Sequence, residues 1–233
     1  MRLLTGDYER YVRNEWTRFL EDPARMRSSR EAVSGLKVAR VLDVGCGAGQ
    51  ELLPFVDGAG VLGVGLDSAQ DVGLNASGLL SHVADGSHVT VVRGVAERLP
   101  FRTGCFDVVT CRLLLPYSDN ADTLTEIGRV LRNGGVLLLK YHDVRYYLRR
   151  AAVGITNRQW YVARHALLAI LSGAIYHITR RQCRHRLLKE CFQTGWFVRR
   201  LLDRNGLVIR RKMPDWNPLT PSYLITRDER KAS

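Results

Sequence analysis

Arg40-Val41-Leu42-Asp43-Val44-Gly45-Cys46-Gly47-Ala48-Gly49 is the stretch that decides the fold. Its first half is β-branched and aliphatic, which suits a buried strand. It stops at three glycines spaced by single residues, and an amphipathic stretch follows. Glycine takes backbone angles closed to other residues and lets a ligand approach the main chain. The segment therefore predicts a strand turning tightly into a helix beneath a bound small molecule. The spacing is G-x-G-x-G, not the G-x-G-x-x-G of dinucleotide-binding turns. Asp43, two residues before the first glycine, puts a carboxylate at the strand's end.

Outward from this turn, strand-like runs recur at Val61–Leu66, His88–Arg93, Phe106–Cys111 and Gly135–Leu139, with the first running Ala39–Val44. Helical or turn-rich connections separate them. The clearest is Ala121 to Leu131, with Leu124, Ile127, Val130 and Leu131 on one face and a stop at Asn133-Gly134-Gly135. Strand–helix alternation implies a parallel sheet with right-handed crossovers. Towards the C-terminus, a helix over Gly195–Asp203 stops at Asn205-Gly206. Two runs, Leu207–Lys212 and Tyr223–Thr226, then flank a loop holding Pro214, Pro218 and Pro221. With no helix between them, they predict an antiparallel hairpin at a sheet edge. Arg227 to Ser233 reads as a frayed tail. The predicted fold is α/β, a doubly wound sheet of seven strands: five parallel strands plus a C-terminal antiparallel hairpin, with a helical insertion after the fifth.

These residues resemble a family. The Val41–Gly49 segment is similar to the first motif of class I S-adenosylmethionine-dependent methyltransferases, a Rossmann-like fold. Asp67, closing Val64-Gly65-Leu66-Asp67, matches the acid that binds the ribose hydroxyls there. Gly94-Val95-Ala96-Glu97-Arg98-Leu99-Pro100-Phe101 resembles the family's G-D-A-E-x-L-P-F. Phe106-Asp107-Val108-Val109 resembles the start of the fourth strand. Arg129-Val130-Leu131-Arg132-Asn133-Gly134-Gly135 resembles the R-V-L-x-P-G-G lead into the fifth. The resemblance covers roughly residues 37–143 and, loosely, 191–227. It implies S-adenosylmethionine as cofactor, held by Asp43, Gly45, Cys46, Gly47, Gly49, Asp67, Val95, Ala96 and Arg112. Asp43 would take the ammonium, and Asp67 the two ribose hydroxyls. Val95 departs from the pattern, since valine cannot accept the adenine amino proton as the family's aspartate does.

Methyl transfer from a sulfonium rests on proximity and orientation, with a general base needed only if the acceptor must lose a proton. Catalytic candidates near the strand C-termini are Tyr117 and, after the fifth strand, Tyr141, His142 and Asp143. His142 is the natural proton acceptor. The alternative is that it caps the strand or contacts the insertion. A fold that binds the cofactor without turnover, as a scaffold, is also compatible with these motifs.

Charge singles out the insertion. The chain of 233 residues carries a formal +12. Residues 1–140 hold 16 Lys/Arg against 17 Asp/Glu, whereas residues 141–233 hold 19 against 6. Between Asp143 and Glu190 there are ten basic residues and no acid. Val144, Tyr147, Leu148, Ala151 and Ala152 follow helical spacing. Gly154-Ile155-Thr156-Asn157 reads as a turn and N-cap, and a longer helix runs from Arg158 towards Ile178. Its apolar stripe, Trp160, Ala163, Leu167, Leu171, Ala174 and Ile178, faces a narrow polar one of Arg158, His165, Ser172 and Thr179. Arg180, Arg181, Arg184, Arg186 and Lys189 follow. An apolar stripe among arginines without acids suits an interfacial helix on anionic lipid. Arg158, Arg164, Arg180 and Arg181 would meet phosphates, and the acceptor would be small and hydrophobic or lipid-linked. An RNA methyltransferase using the basic region is the alternative, with nucleic acid the lesser partner because aromatics are not concentrated among the arginines from Arg180 to Lys189. The plainest alternative is an apolar face packed on the core with a solvated basic rim.

The chain reads as one domain: an N-terminal helical lid (1–36), a cofactor-binding core (37–143), a basic cap (144–190) and a final helix with edge hairpin (191–233). Tyr8, Tyr11 and Trp16 would cover the cofactor or pack into the core. Met1–Leu20 has no signal-peptide pattern, and no uncharged stretch reaches the roughly 18 residues of a bilayer span. The five cysteines form no C-x-x-C pair. Cys183, His185 and Cys191 lack a fourth metal ligand, so no metal is expected. A reducing, cytoplasmic setting, peripheral to a membrane, is the expectation.

Overall fold

A computed structural model describes residues 5–56, 60–70, 88–182, 187–188, 190–215 and 217–228; the side chains of 5–9 and 11–13 fall outside that description. The seven described strands form one sheet in the order β3-β2-β1-β4-β5-β7-β6. They are β1 (Arg40–Val44), β2 (Leu62–Asp67), β3 (His88–Arg93), β4 (Phe106–Arg112), β5 (Leu131–Lys140), β6 (Leu207–Lys212) and β7 (Ser222–Arg227). β1 pairs in parallel with both β2 and β4, and β4 in parallel with β5. β7 runs antiparallel to β5 and β6, the hairpin expected at the edge.

Alternation along the strands sends side chains to two cores. Leu42, Val44, Val109, Leu137 and Leu139 meet α4 (Asn120–Val130) and α7 (Gly195–Arg204) through Leu124, Ile127, Phe197 and Leu201. Val41, Val108, Val136 and Leu138 meet the other side, where α1 (Thr5–Leu20) brings Phe19 and Trp16, α2 (Pro23–Ala32) brings Met26, and α3 (Leu53–Val56) brings Phe55 and Val56. Helices on both faces make the sheet doubly wound. Trp16 is thus core packing. Tyr8 and Tyr11 lie in α1, with side chains outside the described part. The sequence pattern missed α2, although Asp22 caps it and Pro23 opens it.

The insertion is a helical hairpin, α5 (Val144–Thr156) and α6 (Trp160–Thr179), and it corrects one expectation and separates two alternatives. Gly154-Ile155-Thr156 is helix rather than turn, Asn157 caps the end of α5, and Arg158 turns the chain at φ 55°. Gly154 is there for packing: a Cβ on it would stand 2.6 Å from the Ala163 nitrogen. In α6 the buried face is small, Ala163, Ala166, Ala169, Ser172, Gly173 and Tyr176. Of the apolar stripe only Ala163 joins that face, while Trp160, Leu167, Leu171 and Ile178 are 66%, 52%, 51% and 82% exposed, against the alternative in which the apolar face packs on the core. Asn133-Gly134-Gly135 also differs from expectation. The helix ends earlier, at Val130, and those residues lie inside β5 where its register against β4 shifts. Cys46, Cys105, Cys111 and Cys191 are free thiols; Cys183 and His185, with Arg184, Arg186 and Lys189, lie outside the described residues.

Candidate active site

The turn after β1 opens into a cavity of about 440 Å³ at the C-terminal ends of the strands. This is where open α/β sheets hold ligands, beside the point at which strand order reverses. Gly45, Gly47 and Gly49 have φ of 75°, 51° and 76°, which side-chain-bearing residues rarely adopt. The Gly45 and Cys46 amides donate to the Leu66 carbonyl at 2.7 and 3.0 Å, tying the turn to β2. Gly65 leaves room for the Cys46 thiol, whose Sγ a Cβ there would approach to 2.8 Å.

Asp43 lies at the bottom of the cavity, 2% exposed. The Thr110 hydroxyl donates to its Oδ1 at 2.5 Å, while its Oδ2 has no partner among the described residues. Burial pushes its carboxyl up to about 7, aided by the charge of Asp67 and opposed by Thr110, Arg112 and Arg25. Asp67 stands at the end of β2, each oxygen accepting one amide, Gly47 at 3.0 Å and Ala69 at 2.9 Å. A carboxylate oxygen has capacity for a second donor, so both can still receive a hydroxyl. A neighbouring lobe of about 230 Å³ is lined by Asp67, Gly94, Val95, Ala96 and Glu97. Ala96 is buried there and Val95 half exposed. Leu114 and Tyr117 line both lobes.

The structure adds residues that the sequence did not reveal. Glu15 of α1 and Arg25 of α2 line the cavity, so the N-terminal helices form part of its wall. Arg25 and Arg112 both pair with buried Glu51 in the turn before α3. Arg112 also lies 3.8 Å from Asp215, which pairs with Lys140 at 2.6 Å. Arg112 therefore lines the cavity while bound into a buried ionic chain. Nothing local in the sequence announces partners this far apart.

His142 is placed elsewhere, and it lines neither lobe. It is buried, stacked on Tyr146 at 4.2 Å, with Nδ1 3.1 Å from the Tyr147 hydroxyl. Tyr147 donates to Glu190 at 2.6 Å, and His165 of α6 reaches the other Glu190 oxygen at 3.0 Å. Burial alone would raise the Glu190 carboxyl, but bonds from His142, His165 and Tyr147 hold it well below the usual range. This cluster joins the end of β5 to both insertion helices. Asp143 caps α5, and Tyr141 is buried against Tyr223.

Residues 42–139 match the family model of the methyltransferase domain. Over those residues the chain is similar to a methyltransferase domain, and its likeness to class I S-adenosylmethionine-dependent methyltransferases is one of motif and fold. YcgJ, an uncharacterized methyltransferase of Bacillus subtilis, is 33% identical over 107 residues, 44% of this chain and 40% of that protein. The match thus spans less than half of that relative's length. The crystal structure of YcgJ superposes with a TM-score of 0.59 at 22% identity, covering 83% of this chain and 72% of that one. A chain from a complex of the Haloferax volcanii Trm112 methyltransferase activator gives 0.60 at 17% identity, covering 95% and 98%. At these identities the structural likeness is one of fold. The matched residues include Asp43, Gly45, Gly47 and Asp67 on the cavity just described, and its two carboxylates are acceptors suited to a ligand bearing a cation and hydroxyls.

Proposed function

We propose that the chain transfers a methyl group from S-adenosylmethionine to a small, apolar or lipid-linked acceptor, working at a membrane surface. The observation carrying the cofactor is the buried, unpartnered Asp43 Oδ2 in the cavity below the glycine turn. An acceptor left without a donor in a dry site costs about 1–3 kcal/mol, and an ammonium group would satisfy it. Asp67 would take the ribose hydroxyls, and Gly45–Gly49 let the ligand lie against backbone. Ala96 would border the adenine. The bound cofactor supplies an electrophilic methyl on a sulfonium, and the residues around it position and dehydrate the acceptor. Tyr117, shared by both lobes and 54% exposed, is our candidate for meeting the acceptor. His142 is better placed to hold the insertion on β5 than to take a proton.

Calorimetry with S-adenosylmethionine tests this reading. Wild type should bind, and Asp67→Ala should bind about tenfold more weakly or worse, the loss of charge-assisted hydrogen bonds. Absence of heat for the wild type would sink the cofactor assignment. Binding without transfer of labelled methyl to lipid extract or RNA would favour a scaffold. One observation favours RNA as a second reading: Trp196 lies exposed beneath Arg200, at 5.5 Å, with Arg199 and Arg204 around it. An aromatic ring among arginines is a platform for a base and its phosphate. Label appearing in RNA would select this reading.

A further inference from the structure

Helix α6 presents an outward row at Trp160, Arg164, Leu167, Leu171, Ala174 and Ile178, a spacing of alternating four and three residues. The row is about 27 Å long at 1.5 Å per residue. All but Arg164 are apolar, and Trp160, Arg164, Leu167, Leu171 and Ile178 are exposed. At the turn between α5 and α6, beside Trp160, the residues Tyr161, Val153 and Ile155 are exposed as well. Large apolar residues gathered on one exposed helix face mark a binding surface rather than ordinary surface scatter. Arg145, Arg149, Arg158 and Arg181 are exposed on the same insertion, which has no acid between Asp143 and Glu190.

We propose that the α5–α6 hairpin docks the protein onto an anionic bilayer, with α6 lying in the interfacial plane. Its row of Trp160, Leu167, Leu171 and Ile178 enters the acyl boundary while Arg158 and Arg164 meet lipid phosphates. Charge complementarity selects this occupant. A second copy set row to row would bring like-charged arginines together with no carboxylate to meet them. Burial selects the orientation. By length and composition α6, with mean hydropathy 1.2, is able to cross a membrane. Its opposite face, however, is committed: Tyr176 belongs to the core, Gly173 is filled against Phe192, and His177 bonds Thr194. Spanning would tear these away, whereas lying flat uses only the exposed side.

The dock is linked to the acceptor side of the cavity. The carbonyl of Pro116, one residue before Tyr117, accepts from Gln182 Nε2 at 3.1 Å and from the Cys191 amide at 2.9 Å. Gln182 lies just after α6, and Cys191 lies in the segment that leads from it to α7. The inference deepens the lipid-linked acceptor reading and rests on it for its purpose, not for the surface itself.

Co-sedimentation of the full chain with vesicles tests it. Vesicles containing phosphatidylglycerol should retain the protein, and pure phosphatidylcholine should retain far less. Retention should weaken as salt rises. Leu167→Glu with Leu171→Glu should lower retention about tenfold or more, and Arg164→Glu about fivefold at low salt. Cofactor binding by calorimetry should be unchanged in these variants, which also shows that they fold. Indifference to both vesicles, or retention that survives the paired glutamates, overturns the proposal. So does a concentration-dependent dimer that Leu171→Glu dissolves without any vesicle binding, or an RNA complex lost with Arg164 in place of vesicle binding. Retention by a chain that binds no S-adenosylmethionine would leave the dock standing and remove the transferase.

Discussion

Asp43 joins the strand that built the fold to the chemistry proposed for the cavity. Burial first, and Asp67 second, push its carboxyl up to about 7, while Thr110 and the Arg112 and Arg25 charges pull the other way. In the unfolded chain an aspartate titrates near 4. Between about pH 4 and 7 the folded chain therefore holds a proton that the unfolded chain has released. Its contribution to stability falls as pH rises through that window and levels off above it. A cationic ligand reverses the preference, because an ammonium favours the ionised carboxylate. Affinity for S-adenosylmethionine should drop about tenfold for each pH unit below 7 and flatten above it. Calorimetry at pH 6 in buffers of different ionisation enthalpy should show a proton released on binding. Asp43→Asn should bind weakly, with neither the proton release nor the slope. A flat affinity profile in the wild type would refute the role. The sequence placed this acid at a strand end beside glycines, which was enough to name it. Its hydroxyl partner Thr110 is 67 residues away and came only with the fold.

Strands were legible because their signal is local: alternating or continuous β-branched residues bounded by glycine and asparagine. The boundaries of β3 and β6 coincide with the sequence reading, and β1, β2 and β4 differ by a residue or two. Helix α6 was legible as a helix with an apolar stripe, and the sequence left open whether that stripe faced outward or packed on the core. The usual rule turns large apolar residues inward. Here close helix packing takes the small ones, and the large ones are left outside. Gly154 shows the same logic. A glycine followed by Ile-Thr-Asn reads as a turn, yet it lies in α5 because a backbone passes against it. Two effects then compete in Gly154→Ala. Helix propensity favours alanine by about 1 kcal/mol. The added Cβ would meet the Ala163 nitrogen at 2.6 Å, and main chain cannot rotate aside like a flexible side chain. Overpacking of this kind costs about 1–3 kcal/mol, so the variant should be net destabilised. Urea unfolding checks the sign, and a stabilised variant would mean that the hairpin crossing is looser than described.

At the scale of the whole molecule, five charged residues from separate segments meet at and behind the cavity wall. Arg25 comes from α2, Glu51 from the turn before α3, Arg112 from the end of β4, Lys140 from the end of β5 and Asp215 from the loop after β6. Sequence reading saw ordinary charges at these positions, because pairing across the chain has no local pattern. Together they tie α2 to the sheet and to the loop of the C-terminal hairpin. Three cations share two carboxylates in a buried setting. Burial, then the neighbouring Arg112, lowers Arg25 to about 10; burial, then Arg112, also lowers Lys140. Glu51 is the pivot, since Arg25 and Arg112 both rest on it. Glu51→Gln keeps the shape and deletes the charge, leaving Arg25 without this partner and Arg112 with Asp215 alone in a largely buried setting. Removing one member of a buried ionic group costs about 3–5 kcal/mol, most of it from the charges left behind. The urea midpoint should fall accordingly with the slope unchanged. Adding Arg25→Met should recover part of the loss, because one stranded cation is then gone. If Glu51→Gln alone costs less than about 0.5 kcal/mol, comparable with a surface ion pair, then these groups are solvated and the network does not hold α2 to the cavity.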